Sequence, residues 1–85
     1  MTPLDVAAAA IQLGSRFGGG VTSWGRSVQR NRVVGGHPKS YHLTWQAFDL
    51  VYDEEPPEVA TLATYAGRLG LRLVREGDHD HFQPM

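Results

Sequence analysis

Residues 33 to 51, VVGGHPKSYHLTWQAFDLV, place His42 and Asp49 seven positions apart in one of the most apolar stretches of the chain. Both groups are costly to bury unless they are paired. The segment from Tyr41 to Tyr52 is rich in β-branched and aromatic residues and reads as strand. A straight strand rises about 3.3 Å per residue, so it would hold the two groups about 23 Å apart and on opposite faces. A reversal near Thr44 to Gln46 instead makes them facing positions of an antiparallel hairpin, about 5 Å apart. In that arrangement they can share one ion.

The chemistry of such an ion is bounded by composition. The 85 residues include no cysteine, which excludes disulfides and thiolate metal sites and leaves imidazole and carboxylate as the strong ligands. Eight basic and nine acidic side chains give a net charge of −1, so there is no basic field for a polyphosphate backbone, and nucleic acid is not an expected partner. An apolar fraction of 41% with 20% charged residues is that of a globular protein. No window is long and apolar enough to cross a bilayer, so no membrane partner is expected. Asp5 sits where a secretory signal needs positive charge, and MTPLDVAAAAIQLGSRF has no adequate apolar run, so no signal peptide is expected.

A chain of this length is expected to form one domain over 1–85, with residues 1–20 as a helix and glycine-rich connection and 21–85 as the core of the site. It buries only roughly 60 to 65% of its unfolded surface, and a metal staple would help it. Thr2 and Pro3 start the helix, with Asp5 near the positive end of its dipole. Leu4, Ala8, Ile11 and Ser15 fall on the face expected to pack against a sheet, and Gly18 to Gly20 end the element. VTSW (21–24) reads as a short strand, and SVQRNRVV as a short helix capped by Ser27 and closed by Gly35 and Gly36. Pro56 and Pro57 launch a helix with Val59, Leu62, Tyr65 or Ala66, and Leu69 at helical spacing. Leu71 and Leu73 alternate with Arg72 and Arg75 as in a half-buried strand, which HDHF continues or pairs with. Trp24, Phe48 and Leu50 are most simply core, and His37 is surface.

A catalytic zinc takes three protein groups and keeps a position for water, so His42 and Asp49 need a third partner. EGDHDHFQ offers candidates: on a strand His79 and His81 share one face, and Asp78 and Asp80 take the other. The stretch VTSWGRSVQRNRVVGGHPKSYHLTWQAFD then resembles, nearly position for position, a segment of zinc D-alanyl-D-alanine carboxypeptidases and related phage cell-wall peptidases. That segment reads approximately TSGYRSxxxNxxVGGxxxSxHxxGxAxD. The shared residues are Thr22, Ser23, Arg26, Ser27, Asn31, Val34, Gly35, Gly36, Ser40, His42, Ala47 and Asp49. With HDHF, the resemblance runs from Val21 onward and leaves out the first helix.

The resemblance implies an α+β fold of the hedgehog-like peptidase type, a small antiparallel sheet flanked by about three helices. It implies Zn2+ bound by His42, Asp49 and His81, with His79 as a second active-site histidine. The catalytic acid falls on Asp78, three residues before His81, or on Glu76, three before His79. On one continuous strand both acids would face away from His81, so a bulge or turn at Gly77 must intervene. Arg26 looks like the arginine that holds a substrate carboxylate or a developing oxyanion, and Ser40 either steadies a ligand and substrate or caps a turn. The implied activity is hydrolysis of peptidoglycan stem peptides, by a D,D-carboxypeptidase or an L-alanyl-D-glutamate endopeptidase, from a monomer made in the cytoplasm of a producing cell or carried by a phage. The alternative is a degenerate relative that keeps zinc as a staple and binds cell wall, or a phage structural module.

Two positions depart from the pattern. Trp45 stands where the family has glycine, and a bulky residue is strained there if the reversal needs positive φ. It would then alter the hairpin or partly fill the groove. The tyrosine of the SGYRS stretch is also missing: the order here is Ser23, Trp24, Gly25, Arg26, with aromatic and glycine exchanged.

Overall fold

Thr2 opens the first helix with a reciprocal cap, its hydroxyl accepting from the Asp5 N–H while the Asp5 carboxylate accepts from the Thr2 N–H. The computed structural model describes residues 1–85 throughout. Helix α1 runs Pro3–Phe17 and ends where Gly18 turns left-handed. Its buried face is Val6, Ala9, Ala10, Leu13 and Gly14, not the expected Leu4, Ala8, Ile11 and Ser15. Leu4 and Ile11 are 79% and 71% exposed. Apolar residues lie on both sides of this helix, and the four consecutive alanines mark neither, so spacing alone selects the wrong stripe. Gly14 helps decide it, since a Cβ there would stand 3.1 Å from the Gly19 carbonyl oxygen. The helix can approach the next strand closely only on that side.

Strand β1 is Gly19–Ser23, two residues earlier than expected, because the chain extends directly from the Gly18 turn. Helix α2 is Val28–Val33, capped by Ser27 as expected. The expected strand from Tyr41 divides in two: Tyr41–Thr44 is a 3-10 turn and only Phe48–Tyr52 is strand β2. The Ser40 hydroxyl accepts the His42 N–H, and the Tyr41 and His42 carbonyls accept the N–H groups of Gln46 and Trp45. Local polar bonding thus outweighs the strand preference of these side chains. Helix α3, Val59–Arg68, begins two residues after the proline pair. Strands β3, Leu71–Glu76, and β4, His79–Pro84, form a hairpin around Gly77 and Asp78, with Gly77 at φ 51°.

The fold is α+β, as expected: an antiparallel sheet in the order β1-β2-β4-β3 with three helices. The core joins Val6, Ala9, Ala10 and Leu13 of α1, Leu62 and Ala66 of α3, and Phe48, Leu50, Leu71 and Phe82 of the sheet. Phe48 and Phe82 are cross-strand partners whose rings stack at 4.9 Å. Strand alternation then turns Asp49 and His81 to the opposite face. No helix is long and apolar enough to cross a membrane.

Asp80 lies between two histidines on β4 but points to the core side, with its side chain only 2% exposed. Arg75 grips it with two hydrogen bonds of 2.8 and 2.9 Å, and the Tyr52 hydroxyl donates a third at 2.7 Å. Arg75 and Tyr52 hold the carboxyl below its ordinary range against the opposing effect of burial. Arg75→Ala should therefore lower the unfolding free energy by about 3 kcal/mol, as read by urea titration. Because the folded pKa is depressed, this stabilisation is present above the unfolded value near 3.9 and is lost as pH falls through the folded one. Between about pH 4 and 2 wild type should lose more stability than Asp80→Asn, which cannot titrate there.

Candidate metal centre

Three elements deliver one polar side chain each to the open face of the sheet. His42 comes from the 3-10 turn, Asp49 from β2 and His81 from β4, where Asp49 and His81 are cross-strand partners. His42 Nε2 lies 3.3 Å from His81 Nδ1 and 3.5 Å from Asp49 Oδ1, and His81 Nδ1 lies 3.1 Å from the same oxygen. His42 meets Asp49 because the turn folds it over β2, not across a hairpin ladder as expected. Ligand atoms at about 2.0 to 2.1 Å from a tetrahedral zinc stand about 3.3 to 3.4 Å from one another. The triangle here has that size.

The hydrogen bonds explain why a cation suits it. His42 Nδ1 donates to the Trp24 carbonyl, which leaves Nε2 with its lone pair towards the cluster. At the outer nitrogen of His81, Nε2 donates to Gln83 Oε1 at 3.0 Å, leaving Nδ1 facing inward as an acceptor. Two imidazole lone pairs and a carboxylate oxygen therefore converge, and only a proton or a metal ion can reconcile them. Contact with both histidines drives the Asp49 carboxyl well below the usual range despite burial, and Asp49 raises His81. The donor set, two nitrogens and one oxygen, fits zinc.

Around this triangle lie two cavities, of about 490 and 570 Å3, which share Arg26, Asp49 and His79. The Arg26 guanidinium is fixed by Asn31, whose Oδ1 accepts from Nη1 at 3.0 Å, and the Arg26 N–H donates to the His42 carbonyl. Gly36 is more than the helix stop expected of it. A Cβ there would fall 2.0 Å from Asn31 Oδ1 and 2.6 Å from Arg26 Nη1, so only glycine admits this pair. Ser40 caps the turn through the His42 N–H and also lines the first cavity.

The two candidate acids separate. Glu76 pairs with His79 across the β3–β4 hairpin and lines the first cavity beside His79 and His81. Asp78, at the turn, has a side chain 96% exposed and accepts from His79 Nδ1 at 2.8 Å. That bond, with the nearby Asp49 and Glu76, raises the His79 pKa. Parity along a single strand had set Glu76 opposite His81; the turn at Gly77 reverses the chain and returns it to the same face.

A family model described as Peptidase M15 matches residues 8–83. The chain belongs to the peptidase M15 family. No curated protein and no solved structure matches it. The M15 match begins at Ala8, so it takes in most of α1, which the motif resemblance had left outside. Peptidases of this family are zinc-dependent hydrolases, and the His42, Asp49 and His81 cluster could hold such an ion.

Three residues that shape this M15 site drew no role from sequence: Asn31, Gln83 and, through its carbonyl, Trp24. Asn31 was marked in the sequence only as a residue shared with the family pattern; its burial on a short helix otherwise exposed gives it the role of holding Arg26. Adding zinc to metal-free protein should raise its melting temperature by several degrees, since an ion that binds only the folded chain stabilises it. In differential scanning calorimetry that rise should vanish in Asp49→Asn and His81→Ala.

Proposed function

We propose that this M15 peptidase hydrolyses peptide bonds in peptidoglycan stem peptides, using zinc held by His42, Asp49 and His81. The observation that carries the reading is the convergence of two imidazole nitrogens and a carboxylate oxygen within 3.5 Å of one another, beside Arg26, Glu76 and His79. Bound there, zinc would supply Lewis-acid activation of water and of the scissile carbonyl.

The chain's own residues divide the remaining work. Glu76 is favoured as proton carrier, since it faces the cavity of the cluster while Asp78 stands out in solvent. It would take the proton as water oxygen bonds to the carbonyl carbon, then pass it to the amine nitrogen as the C–N bond breaks. His79, whose pKa Asp78 raises, and Arg26 line the same cavity and would stabilise negative charge developing on the carbonyl oxygen. Arg26 can alternatively fork onto a substrate carboxylate, a geometry lysine would not reproduce. Ser40 keeps His42 in place through the turn and borders the substrate cavity.

Two cavities that share Arg26, Asp49 and His79 would give room for chain on either side of the cleaved bond. They favour an endopeptidase of the L-alanyl-D-glutamate type over a D,D-carboxypeptidase. Trp45 lines neither cavity, so the groove is not filled as its bulk suggested, and this favours an active enzyme over a degenerate binder.

Digestion of muropeptides followed by mass spectrometry tests the proposal. Wild type with zinc should release fragments cut after L-alanine, and His42→Ala should release none; wild type that leaves muropeptides intact would contradict the enzyme reading. Glu76→Gln should lower kcat by about 10² to 10⁴ with zinc still bound. Asp78→Asn should lose about tenfold and shift the alkaline limb of the pH profile to lower pH, reporting its hold on His79.

A further inference from the structure

Trp45 is the one residue other than glycine with positive φ, at φ 60° and ψ 28°. Left-handed backbone is unfavourable for a tryptophan, so something must hold it there. What holds it is a set of bonds between residues 24–26 and 42–45. The Arg26 N–H donates to the His42 carbonyl at 2.9 Å, His42 Nδ1 donates to the Trp24 carbonyl, and Trp24 Nε1 donates to the Trp45 carbonyl at 2.9 Å. The Trp45 N–H closes the turn on His42 and Tyr41.

The indole completes the set from outside. A Cβ on Gly25 would fall 1.8, 2.0 and 2.2 Å from Trp45 Cδ2, Cε3 and Cε2, so the ring lies in the space that any side chain at 25 would take. The ring also meets Trp24 edge to face at 5.1 Å. Gly25 is thus glycine because residue 45 is tryptophan, with the peptide at 25 serving as the floor for the indole.

We infer that Gly25 and Trp45 form an interlocking pair, and that Trp45 is a positioning residue which fixes the orientation of His42, presenting Nε2 to Asp49 and His81, by pressing the Trp24–Arg26 segment against the turn. Trp45 touches neither cavity and acts only through His42 and the backbone of Arg26. An aromatic at 45 with glycine at 25 and an aromatic at 25 with glycine at 45 would fill the same volume from opposite sides. The tryptophan is then a relocated part of the site and not a sign of decay.

The test is a double-mutant cycle on the full chain: wild type, Trp45→Gly, Gly25→Tyr, and both together. Zinc affinity is read by competition with a chromogenic chelator, under conditions where the metal-free protein is folded by circular dichroism. Removing the left-handed tryptophan relieves backbone strain, so on strain alone Trp45→Gly would gain stability; the interlock instead predicts about a tenfold loss of zinc affinity. Gly25→Tyr, with no room for its ring, should lose at least about a hundredfold or fail to fold. The double variant should return to within about threefold of wild type, and Trp45→Phe, which keeps a ring over Gly25, should stay near wild type. Unchanged affinity in Trp45→Gly, or a Gly25→Tyr defect that Trp45→Gly does not relieve, would overturn the inference.

The zinc readout rests on the metal reading of the cluster, but the interlock does not. If no variant binds zinc, urea unfolding of the metal-free proteins still reads the coupling, and additive losses there would overturn the interlock independently.

Discussion

Two imidazole lone pairs and a carboxylate, brought within 3.5 Å on one face of a four-stranded sheet, form the constraint around which this small protein is arranged. Like-natured acceptors do not stay together unaided. They are held by rigid partners behind them: the Trp24 carbonyl fixes His42, Gln83 fixes His81, and the β2–β4 ladder fixes Asp49 opposite His81. Each partner removes the alternative in which a ring nitrogen turns its proton inward and dissolves the cluster into ordinary hydrogen bonds.

The sheet serves this arrangement by separating its two sides. On the core side, Phe48, Leu50 and Phe82 pack under α1 and α3, and Asp80 is neutralised by Arg75 and Tyr52. Residues one step away on the same strands, Asp49 and His81, reach the open side. A chain with so little interior gains from this economy, because the strands that hold the ligands are those with the best-packed apolar neighbours. Buried polar pairing around Asp80 also fixes the register of β4, since a slip by one residue would bring both histidines into the core.

The residues of the candidate site were legible in the SYHLTWQAFD and HDHF segments through their resemblance to the family pattern, and the caps at Thr2 and Ser27 form as expected because capping is local. What stayed hidden depends on tertiary approach. The buried stripe of α1 is chosen by how closely Gly14 lets it reach Gly19, which periodicity in an alanine-rich helix does not encode. The turn at Tyr41–Thr44 is chosen by the Ser40 hydroxyl and by hydrogen bonds of His42 to Trp24 and Arg26, remote in the chain, against the strand preference of its side chains. Glu76 changes face because the chain doubles back at Gly77, and Trp45 finds its place only against Gly25.

The most direct measurement is anomalous diffraction at the zinc edge from crystals grown with the metal. One ion should be bonded to Nε2 of His42, Oδ1 of Asp49 and Nδ1 of His81, with the outer nitrogens of both rings still donating to the Trp24 carbonyl and to Gln83. An anomalous peak elsewhere, or none while the three side chains keep their places, would contradict it.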